Sequence, residues 1–187
     1  MTHSPTETEI KLAVADAAAA RKLLRAVGFV VSRRRVFESN VVFDTPRLTL
    51  RRASTLLRLR QAGRVITVTY KGKPSVGRHK SREELELSVS NASMMGAIFE
   101  RLGYSPVFRY EKYRTEYSLK RGAGMAVLDE TPVGIYLELE GAPAWIDRTA
   151  RRMGFSEQDY ITASYARLYL EWCKKKRVTP GNMVFGE

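Results

Sequence analysis

Charged side chains recur at every second residue in several separate segments of this chain, and acids share that spacing with bases. Glu7, Glu9 and Lys11 follow one another in this way, as do Arg58 and Arg60. Because successive side chains of a β-strand point to opposite faces, each set would lie on one face, with apolar residues on the other. The pattern covers seven acids and six bases on seven strand-like segments, namely Glu7, Glu9, Lys11, Arg58, Arg60, Lys71, Glu84, Glu86, Lys112, Arg114, Asp129, Glu138 and Glu140.

Two arrangements of these charged faces are open. On any one strand the pattern is typical of a solvated outer face of an antiparallel sheet. The alternative is a sheet that closes into a barrel with the charges inside, where buried charges must be paired or must coordinate a metal. Repetition over seven segments favours the enclosed arrangement. The neighbouring Arg58 and Arg60 also suit bidentate binding of phosphate. A divalent cation together with a polyphosphate would satisfy both signs of charge.

The composition limits the class of protein and its partners. The chain has 187 residues and a formal net charge of +12, from 32 Lys and Arg against 20 Asp and Glu. Such a surplus favours polyanionic partners: nucleic acid, an anionic membrane surface or small phosphate-rich ligands. The single cysteine, Cys173, excludes an internal disulfide, and the distant His3 and His79 give no support for a histidine metal site. No apolar stretch reaches membrane-spanning length, so we expect a cytoplasmic protein.

Hydrophobic periodicity predicts an α+β protein rich in hairpins, whose sheet could close on itself. We expect a single domain over residues 1–179 and a loose tail over residues 180–187. Asp16 is a candidate N-cap for the first helix, and Gly28 is the residue expected to end it. Strands are predicted at 7–14, 36–44, 49–52, 56–61, 64–71, 82–89, 107–119, 125–130 and 135–140, and helices at 16–25, 92–102, 146–153 and 160–176.

The order of short motifs resembles one known family. Glu7-Thr8-Glu9-Ile10-Lys11 matches the ExExK signature of the CYTH family, also called triphosphate tunnel metalloenzymes. The resemblance extends from Glu7 to about Tyr169, and the ordered set is specific. The further motifs, in family order, are Phe43-Asp44-Thr45, Arg58-Leu59-Arg60, Thr69-Tyr70-Lys71-Gly72, Arg82-Glu83-Glu84-Leu85-Glu86, Lys112-Tyr113-Arg114, Leu128-Asp129 and Glu138-Leu139-Glu140-Gly141.

The resemblance implies a closed eight-stranded antiparallel β-barrel, the triphosphate tunnel, with helices packed outside. It also suggests that the last helix closes one mouth of the tunnel. Members of the family include class IV adenylate cyclases, thiamine triphosphatases and inorganic tripolyphosphatases. They bind triphosphate compounds with a divalent metal, so the expected cofactor is Mg²⁺ or Mn²⁺.

The resemblance also implies roles for the charged residues. The cations would hold the triphosphate, and the carboxylates would hold metal or orient the attacking water. The implied catalytic set is Glu7, Glu9, Lys11, Glu138 and Glu140. The implied triphosphate-binding residues are Lys11, Arg58, Arg60, Lys71, Lys112 and Arg114. The implied metal ligands are Glu7, Glu9, Glu84, Glu86, Asp129, Glu138 and Glu140, and which of Glu84 and Glu86 faces the metal is left open.

Three functions are compatible with this pattern. The leading hypothesis is a metal-dependent triphosphatase that acts on inorganic tripolyphosphate, a nucleoside triphosphate or thiamine triphosphate. The alternatives are a class IV-type adenylate cyclase and a non-catalytic module that binds polyphosphate, nucleotide or RNA. Carboxylates among the bases argue against the module, because acids repel phosphate unless a metal intervenes. We expect a small-molecule triphosphate as the partner, rather than a membrane or a nucleic acid, and a monomer or homodimer.

Overall fold

The computed structural model describes residues 6–75, 77–122 and 124–186. The described residues form eight strands and five α-helices, and a short 3₁₀ segment lies at Glu157–Asp159. The strands are β1 Thr6–Val14, β2 Val30–Asp44, β3 Leu56–Ala62, β4 Val65–Lys71, β5 Lys80–Val89, β6 Ser105–Ser118, β7 Met125–Thr131 and β8 Gly134–Glu140. The helices are α1 Ala17–Val27, α2 Thr49–Arg52, α3 Ala92–Arg101, α4 Pro143–Arg152 and α5 Tyr165–Lys176.

The strands close into an antiparallel barrel in the order β1-β5-β4-β3-β2-β6-β7-β8. Closure occurs between the first and last strands, where Glu9 lies opposite Glu140 and Lys11 lies opposite Glu138. The predicted α+β class and the closed eight-stranded antiparallel barrel are both confirmed.

The apolar faces of the strands point outward and are covered by helices. Ile10, Leu12 and Leu137 are fully buried on the outer side of the barrel, against Leu24 of α1 and Ile146 of α4. Fully burying one of these side chains stabilises the fold by about 1.5–3 kcal/mol. The main apolar core therefore lies between the barrel and the helices, and the charged faces of the strands line the barrel interior. A second cluster joins α5 to β6 and β8, and a third joins α3 to β2, β3 and β4.

The first helix begins and ends as its sequence predicts. Asp16 is the N-cap, and its carboxylate accepts a hydrogen bond from the backbone N–H of Ala19 at 2.8 Å. Gly28 follows the helix with φ of 94°, a left-handed conformation that glycine adopts without steric cost.

Three predicted elements differ from the structure. The strand predicted at 36–44 is longer, since β2 begins at Val30. The strand predicted at 49–52 is wrong, because these residues form α2. The Asp44 carboxylate accepts the backbone N–H groups of Leu50 and Arg51, both at 2.9 Å, and so stabilises a helical turn there. The last helix begins at Tyr165 and not at residue 160, because the backbone of Ile161 pairs with Lys11 of β1.

The segment after α5 is attached to the barrel, whereas the sequence predicted a loose tail over 180–187. Met183 is fully buried and forms a parallel bridge with Tyr110 of β6. Its carbonyl accepts from the Glu111 N–H at 2.8 Å, and its own N–H donates to the Arg109 carbonyl at 2.9 Å. Residue 187 lies outside the described residues. Among the helices of the described ranges, none has the length and apolar character needed to cross a bilayer.

Candidate active site

The barrel encloses a cavity of about 590 Å³ between its charged inner faces. Of the thirteen charged residues predicted from the sequence, Asp129 alone does not line it. Asp129 is fully buried behind Lys112 and Arg114. The other twelve form the wall: Glu7, Glu9, Lys11, Arg58, Arg60, Lys71, Glu84, Glu86, Lys112, Arg114, Glu138 and Glu140. The structure therefore brings the predicted residues together around one space.

Lys11 of β1 is paired with two carboxylates from neighbouring strands. Its Nζ lies 3.2 Å from Glu9 and 3.2 Å from Glu138, and its side chain is 3% exposed. Burial alone would lower the pKa of Lys11, but Glu138 and Glu9 outweigh it and raise the pKa. Burial would raise the pKa of Glu138, yet Lys11 and Arg114 hold it well below its ordinary value. Both groups are therefore held in their charged forms at neutral pH.

Arg58 and Arg60 of β3 lie beside the acids of β5. Arg58 donates to Thr69 at 3.0 Å and to Tyr110 at 3.3 Å, and its Nη2 lies 3.7 Å from Glu86. Arg60 donates to both carboxylate oxygens of Glu86 at 3.1 Å. The guanidinium groups are thus fixed by neighbours while they face the cavity, an arrangement suited to a phosphate group.

Asp129 of β7 is the buried partner of three donors. It accepts from Lys112 Nζ at 2.8 Å, from Arg114 Nε and Nη2 at 2.8 and 2.6 Å, and from the Tyr165 hydroxyl at 2.7 Å. Arg114 also donates to Glu138. With both oxygens engaged, Asp129 orients the two cations of β6, and its predicted role as a metal ligand stays a prediction.

The start of helix α5 contributes to the cavity wall, and the prediction that this helix closes one mouth of the tunnel stays a prediction. Ser164, Tyr165 and Ala166 line the cavity, and the Tyr165 ring lies beneath Lys11 and Lys112 at 5.2 and 5.1 Å from Nζ to ring centroid. Burial and the neighbouring Asp129 raise the pKa of Tyr165 well above its ordinary value, so its hydroxyl remains a donor.

Sequence reasoning missed several residues of the inner wall. Lys80 and Arg82 line the cavity from β5, and Lys80 donates to Glu9 at 2.8 Å. Both share the spacing of Glu84 and Glu86; the predicted strand began at residue 82 and so left out Lys80, whereas Arg82 lay inside it and was not assigned to the site. Tyr110 of β6 was also missed, because an aromatic residue on a strand is more often part of an apolar core.

Two carboxylates at the cavity lack full compensation. Burial raises the pKa of Glu7 to about 7, assisted by its hydrogen bond with Glu84, although Lys71 lies 2.5 Å away. Burial and the negative charges of Glu138 and Glu9 raise the pKa of Glu140. Within the described ranges, Glu140 has no ion-pair partner. Such crowded acids would be relieved by a bound cation.

The residues present fit a divalent metal held jointly with a phosphate. Within the described part of the chain, no three His, Cys, Asp or Glu side chains converge closely enough to hold a metal by themselves. Mg²⁺ is usually bound through one or two carboxylates plus substrate phosphates, and seldom by an all-protein cage. The Glu7–Glu84 pair supplies oxygen donors of this kind at the cavity wall.

The fold and this site define a tunnel protein: a closed antiparallel barrel whose interior carries paired acids and bases. The CYTH domain profile matches residues 5–180, and the chain belongs to the CYTH family, whose members are generally metal-dependent.

Individual relatives agree with this assignment. A "putative adenylate cyclase" of Methanocaldococcus jannaschii is 30% identical over 134 residues, which cover 72% of this chain and 75% of that protein. The solved structure of a "putative adenylate cyclase" from Vibrio parahaemolyticus has a TM-score of 0.76 at 20% identity, covering 89% of this chain and 98% of its own. A "putative adenylyl cyclase" from Hippeastrum, described as having a dominant triphosphatase activity, has a TM-score of 0.65 at 18% identity, covering 93% and 97%. At these identities the two structures bear on the fold alone.

Proposed function

We propose that this protein is a divalent-metal-dependent triphosphatase that binds the triphosphate group of a small molecule inside its barrel and hydrolyses it. The observation that carries the proposal is the mixed lining of the cavity, where Lys11, Arg58, Arg60, Lys71, Lys112 and Arg114 stand among seven carboxylates: the six predicted ones that face the cavity and Glu116. A site for a bare anion needs only cations. Acids in such number are expected where a metal accompanies the anion.

The cations of the wall would carry out most of the catalysis. Hydrolysis of a phosphoanhydride proceeds by in-line attack of water, with charge spread over the oxygens of the transferred group. Arg58, Arg60 and Arg114 are already fixed by neighbouring groups, so they can stabilise this charge without reorganising. Lys11 and Lys112 lie beside them, each in an ion pair with a carboxylate, Glu9 and Asp129 respectively.

Glu140 is our candidate for orienting the attacking water. Its raised pKa and its lack of a cation partner within the described ranges distinguish it from Glu9 and Glu138, which are engaged by lysines and arginine. A carboxylate without a strong donor can accept a hydrogen bond from water and take up its proton.

Glu7, Glu9, Glu84, Glu86, Glu138 and Glu140 are the side chains from which the metal ligands would come, with Asp129 as a further candidate behind the wall. When bound, Mg²⁺ or Mn²⁺ would neutralise phosphate charge and so supplement the basic side chains. We assign the first position to Glu7 and Glu84, because the side chains of these two acids share a hydrogen bond.

A second candidate function is an adenylate cyclase that converts ATP into cyclic AMP and pyrophosphate. Part of the lining favours a substrate with an organic group, because Val42, Leu56 and Phe108 form an apolar corner next to Arg58. Inorganic tripolyphosphate has no apolar group to pack on such a surface, whereas a nucleoside or thiamine moiety could pack on it. The name of the Methanocaldococcus jannaschii relative, a putative adenylate cyclase, points the same way.

Product analysis separates these functions. The purified protein is incubated with ATP, thiamine triphosphate or tripolyphosphate, with Mg²⁺ or Mn²⁺, and the products are identified by chromatography. Release of orthophosphate supports the triphosphatase, whereas cyclic AMP with pyrophosphate establishes the cyclase. Binding without turnover and without a metal requirement would instead establish a non-catalytic module.

A matched pair of variants tests whether the cavity is the site. Arg60→Met removes a cation that is paired with one carboxylate inside the barrel, and Arg35→Met removes one that is paired with Glu130 on the outer face. We expect Arg60→Met to lower kcat/KM about 100-fold, because one charged contact to the transferred group is lost, and Arg35→Met to leave it unchanged. Equal effects of both changes would rule out the cavity as the reaction site.

A further inference from the structure

Glu38 of β2 is a buried carboxylate in the wall of the tunnel that lies behind the cavity. It stands opposite Lys112 on β6, and directly opposed residues point to the same face of a sheet. Its exposed fraction is 1%, and it does not line the cavity. Glu38 is therefore too deep to touch a bound phosphate or to ligate a metal in the cavity.

The neighbours of Glu38 are the cations that the proposed function assigns to phosphate. Its nearest partner is Lys112, whose Nζ lies 3.6 Å from Oε2. Burial would raise the pKa of Glu38, but Lys112, Arg114, Arg60 and Arg58 together lower it, so the carboxylate is ionised. Four of the six cations predicted to hold triphosphate thus share one buried counter-charge.

Apart from the 3.6 Å contact with Lys112, this counter-charge acts on its cations at longer range. Among the described residues, Glu38 Oε2 has no hydrogen-bond partner, in contrast to Asp129, which accepts from Lys112 at 2.8 Å. The next inward position on β2 is Asn40, which is fully buried and lies opposite Arg60 and Tyr110; neither of its amide atoms is hydrogen-bonded within the described ranges. A carboxylate oxygen that accepts no hydrogen bond from these cations does not occupy their donors, so it affects ligand binding through its charge.

We propose that Glu38 is a positioning residue that lowers the affinity of the tunnel for free polyphosphate, so that tight binding depends on an accompanying metal. The inference rests on the proposed function, since it takes the cavity as a phosphate site. Cations drawn toward a fixed carboxylate behind them attract an anion in front of them less strongly. A metal-bound triphosphate carries less negative charge and is penalised less.

Two nearly isosteric substitutions give opposite predictions. Glu38→Gln removes the counter-charge, and we expect the Kd for metal-free tripolyphosphate, measured by calorimetry, to fall about 10-fold. Asn40→Asp adds a carboxylate to the same wall, and we expect the Kd to rise by about the same factor. Damage to the fold cannot tighten binding, so a gain in Glu38→Gln separates positioning from a structural role.

Glu130→Gln is the control for the charge change, because Glu130 lies on the outer face of the barrel and pairs with Arg35. It should bind metal-free tripolyphosphate like the wild type. If Glu38→Gln does not fold, as judged by thermal melting, the sign of the Asn40→Asp effect decides. Unchanged or weaker binding by folded Glu38→Gln, or unchanged or tighter binding by Asn40→Asp, overturns the inference.

The failure of this inference is distinguishable from failure of the proposed function. A wild-type protein that neither binds nor hydrolyses tripolyphosphate, ATP or thiamine triphosphate removes the function itself. A wild-type protein that binds and turns over one of them, together with variants that do not shift the metal-free Kd in the stated directions, removes only the role of Glu38.

Discussion

Replacement of Asp129 by Asn tests whether buried charge pairing holds the tunnel wall together. The substitution preserves the shape of the side chain but removes its negative charge. Asp129 is fully buried and accepts from Lys112, Arg114 and Tyr165. In the variant, two cations lose their closest shared carboxylate.

The expected cost follows from these contacts. Removing one partner of a buried ion pair typically costs about 3–5 kcal/mol, because the remaining charge is left without compensation. Glu138 and Glu38 still lie near Arg114 and Lys112, at the carboxylate contacts described above, so part of the charge remains balanced. We therefore expect the free energy of unfolding to fall by about 3 kcal/mol, which for a chain of this size corresponds to about 6–12 °C in Tm.

Urea unfolding followed by circular dichroism measures this change, with Glu130→Gln as the neighbouring control. Glu130 pairs with Arg35, whose side chain is 46% exposed, so loss of that pair should cost less than about 1 kcal/mol. The reasoning is refuted if Asp129→Asn and Glu130→Gln unfold at the same urea concentration, since burial would then make no difference to the value of the charge.

Three further predictions address other parts of the structure. Tyr165→Phe removes one donor to Asp129 and should lower the free energy of unfolding by about 1–2 kcal/mol in the same urea assay, whereas an unchanged midpoint would contradict that bond. Arg58→Lys should lower kcat/KM at least about 10-fold in phosphate-release assays, because an ammonium cannot replace the planar guanidinium held by Thr69 and Tyr110. Asp44→Ala should cost about 2 kcal/mol at pH 7, as three backbone N–H groups donate to Asp44. Burial would raise the pKa of Asp44, but these donors outweigh it and lower the pKa below the ordinary 3.8. The difference in unfolding free energy between wild type and variant should therefore be complete above pH 3.8 and disappear as the pH falls further. A difference that stays constant down to pH 2 would exclude stabilisation by the ionised Asp44.

The barrel and most of its inner wall could be predicted because alternate residues of a strand lie on opposite faces of the sheet. Glu7, Glu9 and Lys11 occupy alternate positions in the sequence, and all three lie on the inner wall. The partners of Glu9 and Lys11 on the neighbouring strand, Glu140 and Glu138, are charged residues with the same alternation. The period of two is local information, and it survives wherever the strand is regular.

Glu38 and Asn40 were missed although their strand was predicted at 36–44. The pairing of β2 with β6 changes register before Val36 and after Val42, but it is regular over the stretch that holds these two residues. The inward positions there mix an acid, an amide and the apolar Val42, so no repeated charge marks that face as part of the inner wall.

The helix at 49–52 was beyond local prediction for a different reason. Thr49 to Arg52 alternates polar and apolar residues at its start and is too short to show a helical period. The decisive contacts come from Asp44, whose carboxylate fixes the backbone of Leu50 and Arg51. The motif containing Asp44 was identified through the family, but its role became apparent only from the hydrogen bonds.

The seam between β1 and β8 has a consequence for biosynthesis. Glu9 meets Glu140 across this seam, so a ribosome must synthesise all eight strands before the ring of hydrogen bonds can close. Pairings of such long sequence separation form slowly, and strands that are still unpaired are prone to aggregate. In the growing chain, the charged faces that later line the tunnel are still exposed to water. Their side chains stay hydrated there, and faces of the same charge repel one another. The side chains proposed to bind substrate would thus also keep the unfinished barrel in solution.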